Sequence, residues 1–253
     1  MAENKLMTRL KTGPAKKKKK RPWFVNSSRV HLRTQVRKFS RGTERGMMVL
    51  DAGAGKSPYR GLFKHATYEA ADFAKLPSKY APLDYVCDMT DIPVEDGRFD
   101  RVLFNQVLEH LPEPALALKE LNRVLKPEGR IFCSAPLFFQ EHQAPYDFFR
   151  YTQYGLKKLF GDAGFEIVRI EWLEGYFGTL SYQFSHMYNH LPPDVASVRA
   201  MGTGWRVIYL APLIFVTRRL ALFLRGAFSR ADVRWKYTAS GMPKNYVVVA
   251  RKL

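Results

Sequence analysis

The chain has 253 residues, 46% of them hydrophobic, which suffices for one α/β domain with appendages and excludes global disorder. Its two cysteines, Cys87 and Cys133, lack CxxC spacing, which excludes a disulfide framework and points to reduced thiols in a cytoplasmic protein; the first twenty residues lack an apolar core, so no signal peptide is expected. Lys and Arg number 41 against 23 Asp and Glu, and the resulting +18 calls for a polyanionic partner, either nucleic acid or an anionic membrane surface.

Residues 1–45 show little apolar periodicity and contain the run Lys16-Lys17-Lys18-Lys19-Lys20-Arg21. A like-charge block repels itself, so this segment is expected to be a disordered basic tail, either merely solvated or serving as an anchor. Order is expected to begin in the 46–174 core. Met47-Met48-Val49-Leu50 is an apolar strand running into the glycine turn Asp51-Ala52-Gly53-Ala54-Gly55, and a helix is predicted over 58–65. Strands follow at 67–72 and 84–88, each with an acid at its end, and a fourth at 99–105. Leu118, Leu121, Val124 and Leu125 stand at helical spacing within 114–125, which Lys126-Pro127-Glu128-Gly129 closes before a fifth strand at 130–135. A helix over 152–163 has Thr152 as its N-cap and Gly164 just past its end, followed by strands at 165–172 and 246–251. Strands alternating with helices predict an α/β, Rossmann-like, doubly wound seven-stranded sheet, mostly parallel, with helices on both faces.

Between 175 and 240 the alternation fails. This aromatic, apolar and arginine-rich segment reads as an insertion before the last strand, which lies within 241–253. Its apolar stretch at 207–216 is shorter than the roughly 20 residues a membrane span needs. Three roles stay open: an interfacial helix, a substrate lid, or a helix covering the sheet.

In open α/β sheets a ligand sits beyond the carboxyl ends of the strands, where glycines let the backbone approach it. Gly55-Lys56-Ser57 suggests a phosphate loop, but that motif needs a glycine five residues earlier, where Leu50 stands. The dinucleotide pattern keeps Gly53 and Gly55 and loses its third glycine to Pro58. A third class of ligand combines an amine, a ribose diol and a sulfonium without phosphate, as S-adenosylmethionine does. Asp51 would face a cation. Asp72 follows Gly53 by nineteen residues, near the spacing of about 20 for an acid that binds ribose hydroxyls. Asp88 closes the third strand, in place for an adenine amino group. No metal-ligand spacing is present, and no metal site is expected.

The stretch Val49-Leu50-Asp51-Ala52-Gly53-Ala54-Gly55 resembles motif I of class I methyltransferases. Phe99-Asp100-Arg101-Val102-Leu103-Phe104-Asn105-Gln106-Val107-Leu108-Glu109-His110 resembles the fourth-strand motif of the ubiquinone/menaquinone-type (methyltransferase type 11) superfamily. Leu125-Lys126-Pro127-Glu128-Gly129 resembles the turn into that superfamily's fifth strand. The resemblance implies a last strand running antiparallel and S-adenosylmethionine as cofactor. It places Asp51, Gly53 and Gly55 at the methionine moiety, Asp72 at the ribose, Asp88 at the adenine, and Asn105 and Gln106 beside the sulfonium. Lys56 and Ser57 depart from the commonest loop pattern.

A general base is needed only where the acceptor loses a proton near the transition state. His142, in the loop after the fifth strand, and His110, after the fourth, are the candidates, since imidazole titrates near neutrality. Asp147, Arg150 and Tyr151 read as residues that pin this loop. The loop also resembles those of methyltransferases encoded beside polysaccharide pathways. The expected acceptor is therefore a small-molecule, lipid-linked or glycan compound, met at the inner face of a membrane. Two rivals remain: a nucleic-acid methyltransferase, favoured by charge but lacking a base-flipping motif at Asn105-Gln106-Val107-Leu108, and a non-catalytic cofactor-binding module.

Overall fold

A computed structural model describes residues 23–77, 79–200, 202 and 204–253, so the lysine run at 16–21 lies outside the described residues. Seven strands, β1 (Met48–Ala52), β2 (Thr67–Asp72), β3 (Tyr85–Val86), β4 (Phe99–Asn105), β5 (Leu125–Pro136), β6 (Phe165–Trp172) and β7 (Asn245–Lys252), form one sheet in the order β3-β2-β1-β4-β5-β7-β6. β7 runs antiparallel to β5 and β6, and the other pairs are parallel. The chain leaves β1 towards one edge and returns at β4 to build the other half. That reversal puts a topological switch point between β1 and β4, where ligands of open sheets sit.

Period-two alternation divides the strands between two cores. Leu50, Val102, Phe104, Ile131, Cys133 and Val248 pack under α2 (Pro114–Val124) and α3 (Gln153–Asp162), whose Leu118, Leu121, Leu156 and Phe160 close that side. Val49, Leu103, Phe132, Val247 and Val249 face the other way, against Leu32, Val36 and Phe39 of α1 (Ser27–Arg41). Thr152 caps α3, its hydroxyl accepting from the Gly155 amide at 3.1 Å, and Gly164 leaves that helix at φ +81°.

Two elements correct the sequence reading. α1 falls inside the expected disordered tail. Asn26 caps it by accepting from the Arg29 amide at 3.1 Å, and Leu32, Val36 and Phe39 line its buried stripe. The predicted 58–65 helix is only a single 3-10 turn, Arg60–Leu62. Ser57 sits at φ +44° directly before Pro58, and Gly61 lies mid-segment, which leaves too short a stretch to nucleate an α-helix. No helix N-terminus therefore follows the glycine turn, and α1 supplies the cover on that face.

The insertion is helical: α4 (Tyr176–His190), α5 (Val195–Ala200) and α6 (Val207–Trp235). Phe184 of α4 stacks on Phe228 of α6, and Phe177 meets the same ring at a tilt, each at 5.6 Å between ring centroids. Asp232, fully buried in α6, ties three elements: Oδ1 accepts from the Gly175 amide at 2.8 Å, and Oδ2 meets His31 Nε2 of α1 at 3.1 Å. Below it the buried Glu174 accepts from Asn245 Nδ2 at 2.9 Å. The residues before α1 lie along α6, with Trp23 stacked on Phe223 at 5.7 Å and the Val25 amide donating to Ser229 Oγ at 3.3 Å.

Candidate cofactor and acceptor site

The site is built from the carboxyl ends of β1, β2, β4 and β5, which register aligns: Asp51 pairs with Ala70 and Leu103, and Asn105 with Ser134. Asp51 is buried, and Tyr68 Oη donates to its Oδ2 at 2.5 Å. Burial pushes its carboxyl up to about 7; the Tyr68 hydrogen bond opposes this, while the neighbouring Asp72 charge adds to it. The same burial, reinforced by the Asp51 charge, drives the Tyr68 hydroxyl far above its ordinary range, so it remains a donor. Gly53 and Gly55 turn the chain at φ +71° and +51°, and the amides of Gly53 and Ala54 both donate to the Ala71 carbonyl. A Cβ on Gly53 would stand 2.3 Å from Val107 Cγ2, so only glycine fits; one on Gly55 would meet no atom within 4 Å, so the turn opens on free space.

Asp72, buried at the end of β2, holds that turn in place. Its Oδ2 accepts from the Gly55 amide at 2.9 Å and its Oδ1 from the Ala74 amide at 3.1 Å. Each oxygen keeps a further lone pair for a ligand hydroxyl. Asp88 lies two residues past β3, exposed, and its Oδ1 accepts from the Thr90 amide and hydroxyl at 3.0 and 2.9 Å. Gln106 sits at φ +56°, with Nε2 donating to Ser134 Oγ at 3.1 Å. Asn105 Nδ2 is buried without a partner. Two acids, an open glycine turn and an unpaired amide donor suit a cationic, diol-bearing ligand such as S-adenosylmethionine. A pyrophosphate would meet the Asp51 and Asp72 carboxylates without the helix N-terminus that usually holds it.

The two candidate bases come together beyond these strand ends. His110 closes the 3-10 turn Leu108–His110 after β4, and its ring meets that of His142 edge-on at 4.7 Å. His110 Nδ1 faces the Tyr146 carbonyl at 2.5 Å; burial outweighs that contact and lowers its pKa. His142 Nδ1 lies 3.2 Å from the Gln140 carbonyl and 3.4 Å from Asp147 Oδ2. Arg150 pins the loop. Its guanidinium grips both Asp147 oxygens at 2.8 Å and donates to the carbonyls of Phe139 and Gln140, and Tyr151 Oη donates to the Leu108 carbonyl. That guanidinium holds the Asp147 carboxyl well below the usual carboxylate range. The loop reaches the end of β2 where Tyr146 meets Phe73, next to Asp72, at 5.4 Å. α4 closes over it: Phe139 stacks on Tyr182 at 5.1 Å, and Tyr182 Oη accepts from the Gln140 amide at 2.8 Å.

Sequence reading missed Tyr68 and Glu109. Tyr68 falls on an inward position of β2, where period-two alternation could have found it. Glu109 was quoted only as part of a motif, yet its carboxyl is fully buried, has no partner on either oxygen, and is raised by burial to about 8. A cavity of about 480 Å³, lined by Met47, Asp100, Arg101 and Lys126, opens at the opposite end of the sheet. It lies at the amino ends of the strands, away from every residue above, and is assigned no role.

Residues 50–133 match the family model of the methyltransferase domain. Demethylmenaquinone methyltransferase of Staphylococcus carnosus is 36% identical over 93 residues, which are 34% of this chain and 36% of that protein. The match thus spans about a third of the relative's length. Among solved structures, 1,6-didemethyltoxoflavin-N1-methyltransferase of Burkholderia thailandensis, with S-adenosylhomocysteine bound, has a TM-score of 0.52 at 17% identity, covering 89% of this chain and 78% of that one. A sarcosine dimethylglycine methyltransferase assignment from Galdieria sulphuraria gives 0.51 at 17% identity, over 88% and 85%. At these identities the structures establish the fold alone. Residues 50–133 are thus similar to the methyltransferase domain family, and the strand order with its antiparallel last strand gives the chain the fold of the methyltransferase structures it matches.

Proposed function

We propose that this chain transfers a methyl group from S-adenosylmethionine to a small lipid-linked or glycan-type acceptor presented at an anionic membrane surface. The cofactor supplies the methyl on a sulfonium; the protein's part is to bind, orient and exclude water. Asp51 would balance the cofactor's ammonium, Asp72 would take the ribose diol, and Asp88 the adenine edge. Gly53 and Gly55 let the backbone pass close to the methionine moiety, and Asn105 and Gln106 would line the sulfonium side. His110 and His142 face the acceptor side, where either could receive a proton from an acceptor hydroxyl. A quinone-type acceptor, as in the name of the Staphylococcus relative, suits the aromatic wall of Phe139, Tyr146 and Tyr182.

The observation that carries the membrane part is a stripe on α6. Tyr209, Leu213, Val216, Leu220 and Phe223 follow at spacings of four and three, so they share one helix face, and they are exposed by 70, 62, 67, 53 and 56%. Trp23, 46% exposed, extends the stripe, and the lysine run ends two residues before it. Apolar side chains flanked by cations suit the headgroup boundary, where each Lys or Arg adds about 1 kcal/mol. No described helix is long and apolar enough to cross a membrane. The test is transfer of labelled methyl into a cell extract separated into lipid, glycan, protein and nucleic-acid fractions. Label in lipid or glycan is the expected result; label in nucleic acid alone would replace the acceptor class, and the +18 charge would then serve that partner.

A further inference from the structure

Glu109 poses a physical problem that methyl transfer does not use. Its carboxyl is fully buried and both oxygens lack a hydrogen-bond partner, an arrangement that costs the ionised form several kcal/mol unless a cation meets it. The Arg150 guanidinium attracts it through space but hydrogen-bonds both oxygens of Asp147 instead. What does face Glu109 is imidazole: His110 Nε2 stands 3.8 Å from Oε1, and one donor atom each from Glu109, His110 and His142 lie within 4.8 Å of one another.

We propose that Glu109, His110 and His142 bind a divalent transition-metal ion. Two donors that each stand about 2.1 Å from one ion are about 3 to 4 Å apart, so rotation of the loop imidazole by a fraction of its length closes the set. The His110 ring is already oriented for this. His110 turns its Nδ1–H to the Tyr146 carbonyl at 2.5 Å, which leaves Nε2 with the lone pair, and His142 Nδ1 faces the Gln140 carbonyl at 3.2 Å. A backbone carbonyl on the second ring nitrogen is the usual outer support of a ligating histidine. Gln143, exposed and 3.2 Å from His110 Nε2, swings out to admit the ion. Two nitrogens and one carboxylate favour zinc, cobalt, iron or manganese over the all-oxygen shells of calcium and magnesium.

Three protein ligands leave coordination positions open towards the acceptor side. With the ion bound, both imidazoles are ligands and neither acts as a base; an acceptor hydroxyl in an open position would instead lose its proton to solvent more readily. Its oxygen then bonds the methyl carbon while the methyl–sulfur bond breaks and leaves its electron pair on sulfur. This use of the ion rests on the methyl-transfer reading; the site itself does not.

The test is therefore run with neither cofactor nor acceptor. Cobalt(II) is titrated into the untagged full-length chain and its visible absorption followed, beside Glu109→Gln and His142→Ala, with folding checked by circular dichroism. The expected result is saturation at one ion per chain, with affinity at least tenfold weaker in each variant. Absence of saturable absorption in the wild type, or unchanged binding in both variants, overturns the site. His186 and His190 stack at 5.2 Å on α4, and binding there would survive both substitutions.

Discussion

Asp51 is the residue on which chemistry and stability meet. Its carboxyl is raised to about 7 by burial, against an ordinary 3.8. Below pH 4 the folded and unfolded states are both protonated and the group contributes nothing. As pH rises from 4 to 7 the unfolded chain ionises first, so the folded state binds more protons and stability falls; above 7 the loss is constant. Asp51→Asn keeps the acceptor for Tyr68 and removes this titration. Urea denaturation should show the variant gaining on the wild type by a few kcal/mol at most between pH 4 and pH 8. A stability difference that does not change with pH would refute the buried-acid description. The same burial explains what was legible here. Asp51 and Asp72 stand at the ends of apolar runs, where the glycine turn and the nineteen-residue spacing from Gly53 exposed them. Glu109 was opaque because nothing in its neighbours predicts that an acid will be fully buried, and its two histidine companions come from a separate loop.

At the level of elements, strands with regular alternation were readable nearly to the residue, as β6 at Phe165–Trp172 shows. α1 was hidden because its apolar stripe, Leu32, Val36 and Phe39, is diluted by basic residues that a helix facing a sheet on one side can carry on the other. The 58–65 segment erred the opposite way, since its pattern gave no weight to Ser57 in a left-handed conformation. The insertion's packing hangs on Asp232. Asp232→Ala leaves the Gly175 amide without its acceptor and frees His31, in a fully buried position. The expected cost is about 3 kcal/mol, measured by urea denaturation, and a change below about 0.5 kcal/mol would show that α1 and α6 are held by other contacts. The exposed face of α6 makes a separate prediction. Leu213→Glu with Leu220→Glu should leave the fold and its stability intact, because both side chains face solvent. Flotation with anionic vesicles at low salt should drop severalfold in that double variant. Equal flotation of both proteins, or none by the wild type, would contradict a membrane role for the stripe.

For the whole molecule, the order of the elements was legible because each strand is an apolar run closed by a turn signal, and α2 and α3 alternate with the strands from β4 onward. The role of the region between β6 and β7 was not legible, since its function depends on where α4 and α6 pack. In the structure α4 packs on the loop after β5 through Tyr182 while α6 turns an apolar face outward. Net charge states only the sign of the partner. All of this presumes that the carboxyl ends of β1 and β2 hold the cofactor. Isothermal titration of S-adenosylmethionine into the wild type and Asp72→Ala tests that most directly. The account predicts one site per chain in the wild type and at least tenfold weaker binding in a variant that remains folded. No binding by the wild type, or equal affinity in the two proteins, would contradict it.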